Sequence, residues 1–238
     1  MPLVLGACAS REPAVVVAPP LAPELQAWSE RMLPGKQGTQ YSLARRAGKS
    51  CVLAQARRSA SLLRRSVQVT PAQLGQVEFD WWIAAIAGLP QTDLEETPDD
   101  APARLVLAFT GDDARLSLRN RMVFELARTM TGEAPPYATL MYIWHPTAPP
   151  ETVIVSTHTD RIRKIVVGSG AQPLPGWQRF RRNIAADFRQ AFGEEPGTLV
   201  QLALMTDADN SQSQAEACYG RLLFLDPDRQ TLPGSLVF

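Results

Sequence analysis

Over much of the chain, apolar and polar residues alternate at every second position, as in strands with one face buried. The clearest case is residues 76–86, where Val77, Phe79, Trp81 and Ile83 fall on one face and Glu78, Asp80 and Trp82 on the other. Residues 39–43, 50–57 and 61–69 are shorter strands of this kind, separated by Gly48 and by arginine-containing bends. Further strands are predicted over 105–110, 137–144, 151–157 and 161–167. The last pair lies within 199–225, two apolar runs on either side of the loop Asp207-Ala208-Asp209-Asn210-Ser211.

The period lengthens in three places. Residues 23–32 place Leu25, Trp28 and Met32 on one helical face. Residues 115–131 place Leu118, Met122, Leu126 and Met130 in one stripe that Gly132 ends. Residues 177–192 align Trp177, Phe180, Ile184, Phe188 and Phe192 before Gly193. Nine or ten strands with inserted helices predict a mainly β protein, an antiparallel β-sandwich of jelly-roll or galactose-binding-like character. Strands and helices do not alternate regularly, which argues against a doubly wound sheet.

Composition adds compartment more than chemistry. Lysine plus arginine and aspartate plus glutamate number 24 each, so no global field draws nucleic acid. No stretch approaches the ~20 apolar residues of a membrane span. At the N-terminus, Leu5-Gly6-Ala7-Cys8 resembles a bacterial lipobox with Cys8 as the lipidated residue. The residues before it form too short a leader, without a basic start. Residues 1–23 are therefore read as a truncated export signal with a proline- and alanine-rich tether, and residues 24–238 as one sandwich domain. This predicts a cell-envelope lipoprotein facing the periplasm, on the outer membrane in preference to the inner. In that compartment Cys51 and Cys218 are either a disulfide tying the first strands to the last or two buried thiols.

Several blocks share the order and spacing of a known family. They are Pro34-Gly35-Lys36 with Thr39 and Tyr41, Val52-Leu53-Ala54 with Ser59-Ala60-Ser61, and Asp99-Asp100-Ala101-Pro102-Ala103-Arg104. Tyr142-Ile143-Trp144 follows, then Arg182-Asn183 with Asp187, Phe192-Gly193 and Pro196, and finally Met205 to Asn210 before Tyr219-Gly220. Together they resemble the bacterial domain-of-unknown-function family numbered 3047, from about Trp28 to Phe224. The resemblance implies an exported β-rich protein and brings no activity with it. One departure is Trp81-Trp82-Ile83, where the family pattern has Trp-x-Trp followed by a basic residue.

Three constellations could carry chemistry. Asp207, Asp209 and Asn210, with Ser211 and Ser213, begin like a calcium loop, but lack its central glycine and closing glutamate; position twelve is Cys218. No cofactor is therefore expected, with calcium as the one metal worth testing. Asp99 and Asp100 before Arg104 read as a clamp, or as acids that pair with Asp207 and Asp209 in a glycosidase. Glu78, Asp80 and Trp82 combine carboxylates with a flat ring, the mixture that sugar-binding faces use. Arg182, Asn183 and Asp187 form a polar patch on the third helix, and Trp144 belongs to the same candidate set. Two histidines and no Cys-x-x-Cys make a zinc site improbable. The expected function is a non-catalytic binding sandwich for a glycan or a protein partner. The competing readings are a glycan hydrolase and a purely structural envelope module.

Overall fold

The computed structural model describes residues 25–86 and 99–238. Cys8, the tether and most of the acidic loop after the fifth strand lie outside the described residues. Among the described residues, twelve strands form two sheets. They are β1 Ser29–Met32, β2 Gln40–Arg46, β3 Lys49–Arg57, β4 Ser61–Val69, β5 Gln76–Ala85 and β6 Arg104–Phe109, then β7 Ala138–His145, β8 Val153–Val155, β9 Ile162–Ser169, β10 Gln178–Asn183, β11 Leu199–Met205 and β12 Gln214–Leu225. One sheet has the order β1-β4-β11-β6-β7-β9-β8 and the other β10-β5-β12-β3-β2.

This order makes the sandwich a jelly roll. Successive strands β3, β4, β5 and β6 alternate between the sheets, and the second half of the chain folds back to pair with them in reverse. Thus β6 pairs with β7, β5 with β10, β4 with β11 and β3 with β12, all antiparallel. Among the described strands only β7 and β9 pair in parallel. The nested pairing places residues more than a hundred positions apart on neighbouring strands.

The alternation along β5 holds: Val77, Phe79, Trp81 and Ile83 are all buried between the sheets. Phe79, Trp81 and Phe180 form a triangle with ring centroids 5.0–5.3 Å apart. Cys51 and Cys218 form a disulfide, with Cα atoms 5.6 Å apart, that joins β3 to β12.

Three helical expectations need correction. The first helix, over 23–32, does not extend through Met32. From Ser29 the chain is an edge strand, because β4 offers an open backbone ladder and β1 pairs along it. The second helix forms as α1, Leu118–Thr131, capped by the Ser117 hydroxyl, but its stripe faces outward. Leu118, Met122, Leu126 and Met130 are 61–76% exposed, while Asn120 points inward to bond Asp160 and Thr159. The third is split. Trp177 to Asn183 is mostly strand β10, and only Ile184–Phe192 is helix, α2, with Asn183 as its N-cap. Among the described residues no helix is long and apolar enough to cross a membrane.

Candidate functional site

The loops after β11 and before β6 meet at one end of the sandwich. Asp207, Asp100 and Asp209 are all buried there, with carboxylate oxygens within 4.8 Å of one another. Asp99, Arg104 and Asn210 complete the group. The sequence-predicted residues from these two loops are therefore brought together, and each acid already has protein donors. Arg104 grips Asp207 through Nε and Nη2 at 3.0 and 2.8 Å, and the Ala101 amide adds a third bond. Asp100 accepts from the amides of Asn210 and Ser211 and from the Ser211 hydroxyl. Lys36 pairs with Asp209, and Lys164 with Asp99. Lys164, on β9, thus supplies a buried cation.

Burial pushes the Asp207 carboxyl up to about 6, against the pull of Arg104 and the Ala101 amide. Burial also raises Asp99, but Arg104 and Lys164 outweigh it and hold this acid below its usual range. A hydrolase needs one carboxyl free to move a proton and another free to attack or activate water. Here all four aspartates are held in ion pairs or by backbone amides. This corrects the expectation of a glycosidase pair in these loops; Arg104 does act as a clamp, but its two-point grip is on Asp207, with Asp99 as a lesser partner and Asp100 held by Asn210 and Ser211 instead.

Four other predicted residues are structural. Trp144 is buried and donates its Nε1 hydrogen to the Gly170 carbonyl, so no ligand reaches it. Asp187 is buried too, and accepts from Tyr142 and from both Nε and Nη2 of Arg182. Arg182 also grips Glu151 through two nitrogens. The patch expected on one helix is instead a strand arginine tied to a helix aspartate, while Asn183 caps the helix.

The outer face of the second sheet differs in character. Register places Arg179 opposite Asp80 and Arg181 opposite Glu78, and Trp177, just before β10, lies beside Trp82. Trp82 and Trp177 are both half-buried and meet edge to face at 6.1 Å. Arg46 lies over the Trp82 ring and Lys49 over the Trp177 ring. Glu78 is approached by Arg181, Arg221 and Arg229 at 2.9, 3.4 and 3.6 Å. Lys49 reaches Asp80 Oδ2 at 3.2 Å, whereas the buried Oδ1 accepts no hydrogen bond among the described residues. Close approach there requires Gly220: a Cβ on it would lie 2.2 Å from Asp80 Oδ1 and 2.9 Å from the Trp177 ring. A groove of about 450 Å³ runs over this spot, lined by Arg45, Lys49, Asp80, Arg179 and Arg221, with Val237 and Phe238 at its lip.

Sequence reasoning selected Glu78, Asp80 and Trp82 but missed Trp177, Lys49, Arg179 and Arg221. The signal was present in Trp177-Gln178-Arg179-Phe180-Arg181, which alternates as a strand does. The helical spacing of Trp177, Phe180 and Ile184 competed with it.

A family model described as "Protein of unknown function (DUF3047)" matches residues 26–223. No curated protein matches the chain. Among solved structures, the endoglucanase cel12A from Rhodothermus marinus is similar at 8% identity and a TM-score of 0.41, covering 81% of this chain and 94% of its own. The family 11 xylanase from Neocallimastix patriciarum is similar at 12% identity and a TM-score of 0.35, covering 82% and 90%. Scores this low leave the fold to be read from the strand order itself.

Proposed function

The chain belongs to the DUF3047 family of proteins of unknown function, and we propose that it is a cell-envelope lipoprotein whose sandwich binds a glycan on the outer face of the β10-β5-β12 sheet. The observation that carries this reading is the half-exposed Trp82–Trp177 pair beside the groove over Asp80. Flat indole surfaces stack on the C–H faces of sugar rings. Lys49, Arg179 and Arg221 in the lining of that groove offer the oxygens of a sugar charged donors. The indole pair stands apart from the aromatic core, which lies on the opposite face of β5.

The envelope location rests on Cys8 within Leu5-Gly6-Ala7-Cys8 and on the Cys51–Cys218 disulfide, which fits an oxidising compartment. A lipid on Cys8 would tether the domain to the periplasm-facing leaflet of the outer membrane, with residues 9–23 as spacer. Catalysis is no part of the proposal. The carboxylates best placed for it, in the Asp100–Asp207–Asp209 cluster, serve as clamps.

The test is a glycan array followed by calorimetry with the best-bound oligosaccharide. Trp82→Ala and Trp177→Ala should each weaken binding by roughly tenfold or more, the scale of one lost stacking contact. Both variants should keep the wild-type circular dichroism spectrum. Binding that ignores both tryptophans would overturn the site.

A further inference from the structure

We propose that the groove over Asp80 is an anion-binding subsite, so that the ligand on this face is an acidic glycan carrying carboxylate, sulfate or phosphate groups. This rests on the glycan reading above and goes further in naming the chemical class.

The chain as a whole is neutral, yet this face is not. Lys49 and Arg45 come from the β2–β3 hairpin, Arg179 from β10 and Arg221 from β12, and all four line the groove. Asp80 is the one acidic side chain in that lining. Its carboxylate is already shared with Lys49, and Arg221 divides Glu78 with Arg181 and Arg229. Among the described residues Arg45 donates only to the Gly48 carbonyl, and Arg179, exposed on β10, has no ion pair or hydrogen bond. Four cations from three segments thus converge on one open groove whose lining holds a single acidic side chain. Arginine forks match carboxylate, sulfate and phosphate groups in two-point geometry. Elsewhere in the molecule the buried cations have their own acids: Arg104 has Asp207, Lys164 has Asp99 and Arg182 has Asp187. The groove thus gathers cations that are not buried against acids of their own. The two tryptophans adjoin it through Lys49, which contacts both Asp80 and the Trp177 ring, so a sugar stacked on the indoles can direct an acidic substituent to the arginines.

The experiment measures Kd by calorimetry for hexagalacturonate and for uncharged galactose and glucose hexamers, at low and high salt, with sulfate and phosphate ions as separate arms. Hexagalacturonate should bind at least roughly tenfold tighter than the uncharged hexamers in dilute buffer. The gap should shrink at 0.5 M salt, where the screening length falls well below the ~10 Å of 0.1 M. Arg179→Gln and Arg45→Gln, both at exposed positions, should narrow it without changing the melting temperature. Equal affinity for charged and uncharged hexamers, or a preference that survives the double variant, overturns the anion subsite and leaves the glycan reading standing. Binding of sulfate or phosphate ions that the double variant abolishes, with no hexamer bound, keeps the anion subsite and overturns the glycan reading; no binding in any arm overturns both.

Discussion

Arg104 and Asp207, 103 residues apart, form a two-point ion pair in which neither side chain is more than 4% exposed. The pair fastens the start of β6 to the loop leaving β11. It also removes from chemistry the most deeply buried acid of the cluster. The Ala101 amide and the Asp99 carbonyl complete its hydrogen bonds.

Breaking this pair from one side should be costly. Arg104→Met leaves a buried carboxylate without its cation, and a loss of about 3–5 kcal/mol is expected from chemical denaturation. Adding Asp207→Leu should restore a large part of it, because two apolar groups leave no charge uncompensated. A double variant no more stable than Arg104→Met would show that the pair is not the source of the loss.

Asp207 also predicts a pH dependence. Its folded value, about 6, lies above the 3.8 of an unperturbed aspartate, so between those values the folded chain holds more protons than the unfolded one. The resulting stability is fully present below about pH 4 and is lost as pH rises through 6. At about 1.4 kcal/mol per unit the full effect is on the order of 3 kcal/mol. Carboxyl carbon NMR should show a midpoint near 6 for this residue. A midpoint below 4 would mean that Arg104 outweighs burial.

The same knot bears on calcium. Asp100, Asp207 and Asp209 lie close enough to share an ion, but Lys36, Arg104 and three donors from Asn210 and Ser211 already compensate them. Chelator and millimolar calcium should both leave the melting midpoint where it is. A rise with calcium would show that the ion displaces Lys36 from Asp209.

How much of this was legible in the sequence depended on whether local pattern and tertiary pairing agreed. Along β5 they agree, so Val77 to Ile83 announced both the core face and the carboxylate–tryptophan face. At Trp177 to Asn183 two periods competed, and the β5 backbone ladder decided for strand, which brought Trp177 and Arg179 to the site. The convergence of Asp99–Asp100 with Asp207–Asp209 rests on β6 pairing with β11. No spacing within one segment encodes that, and only the block resemblance hinted at it. The cation excess of the groove was hidden because a chain-wide charge of zero averages it away.

The disulfide closes a loop across 167 positions, so its loss releases much chain entropy in the unfolded state. Cys51→Ala with Cys218→Ala should cost about 2–5 kcal/mol. A reducing agent should lower the wild-type melting temperature and leave the variant unchanged. An equal response of both would place the effect outside this bond.

The α1 stripe gives the sharpest contrast between sequence and structure. Leu118, Met122, Leu126 and Met130 have the spacing of a buried helix face, yet they are the exposed side; Asn120 marks the packed side with bonds to Asp160 and Thr159. If so, Leu126→Glu removes little apolar contact and leaves the new carboxylate in water, and the denaturation midpoint should move by no more than about 0.5 kcal/mol. Phe188→Ala on α2 is the matched control. That ring is fully buried and stacks near Phe109 and Phe192, so about 3–5 kcal/mol should be lost. A Leu126→Glu cost approaching the control would mean that the stripe is covered, and that α1 packs by its apolar side as its spacing alone would suggest.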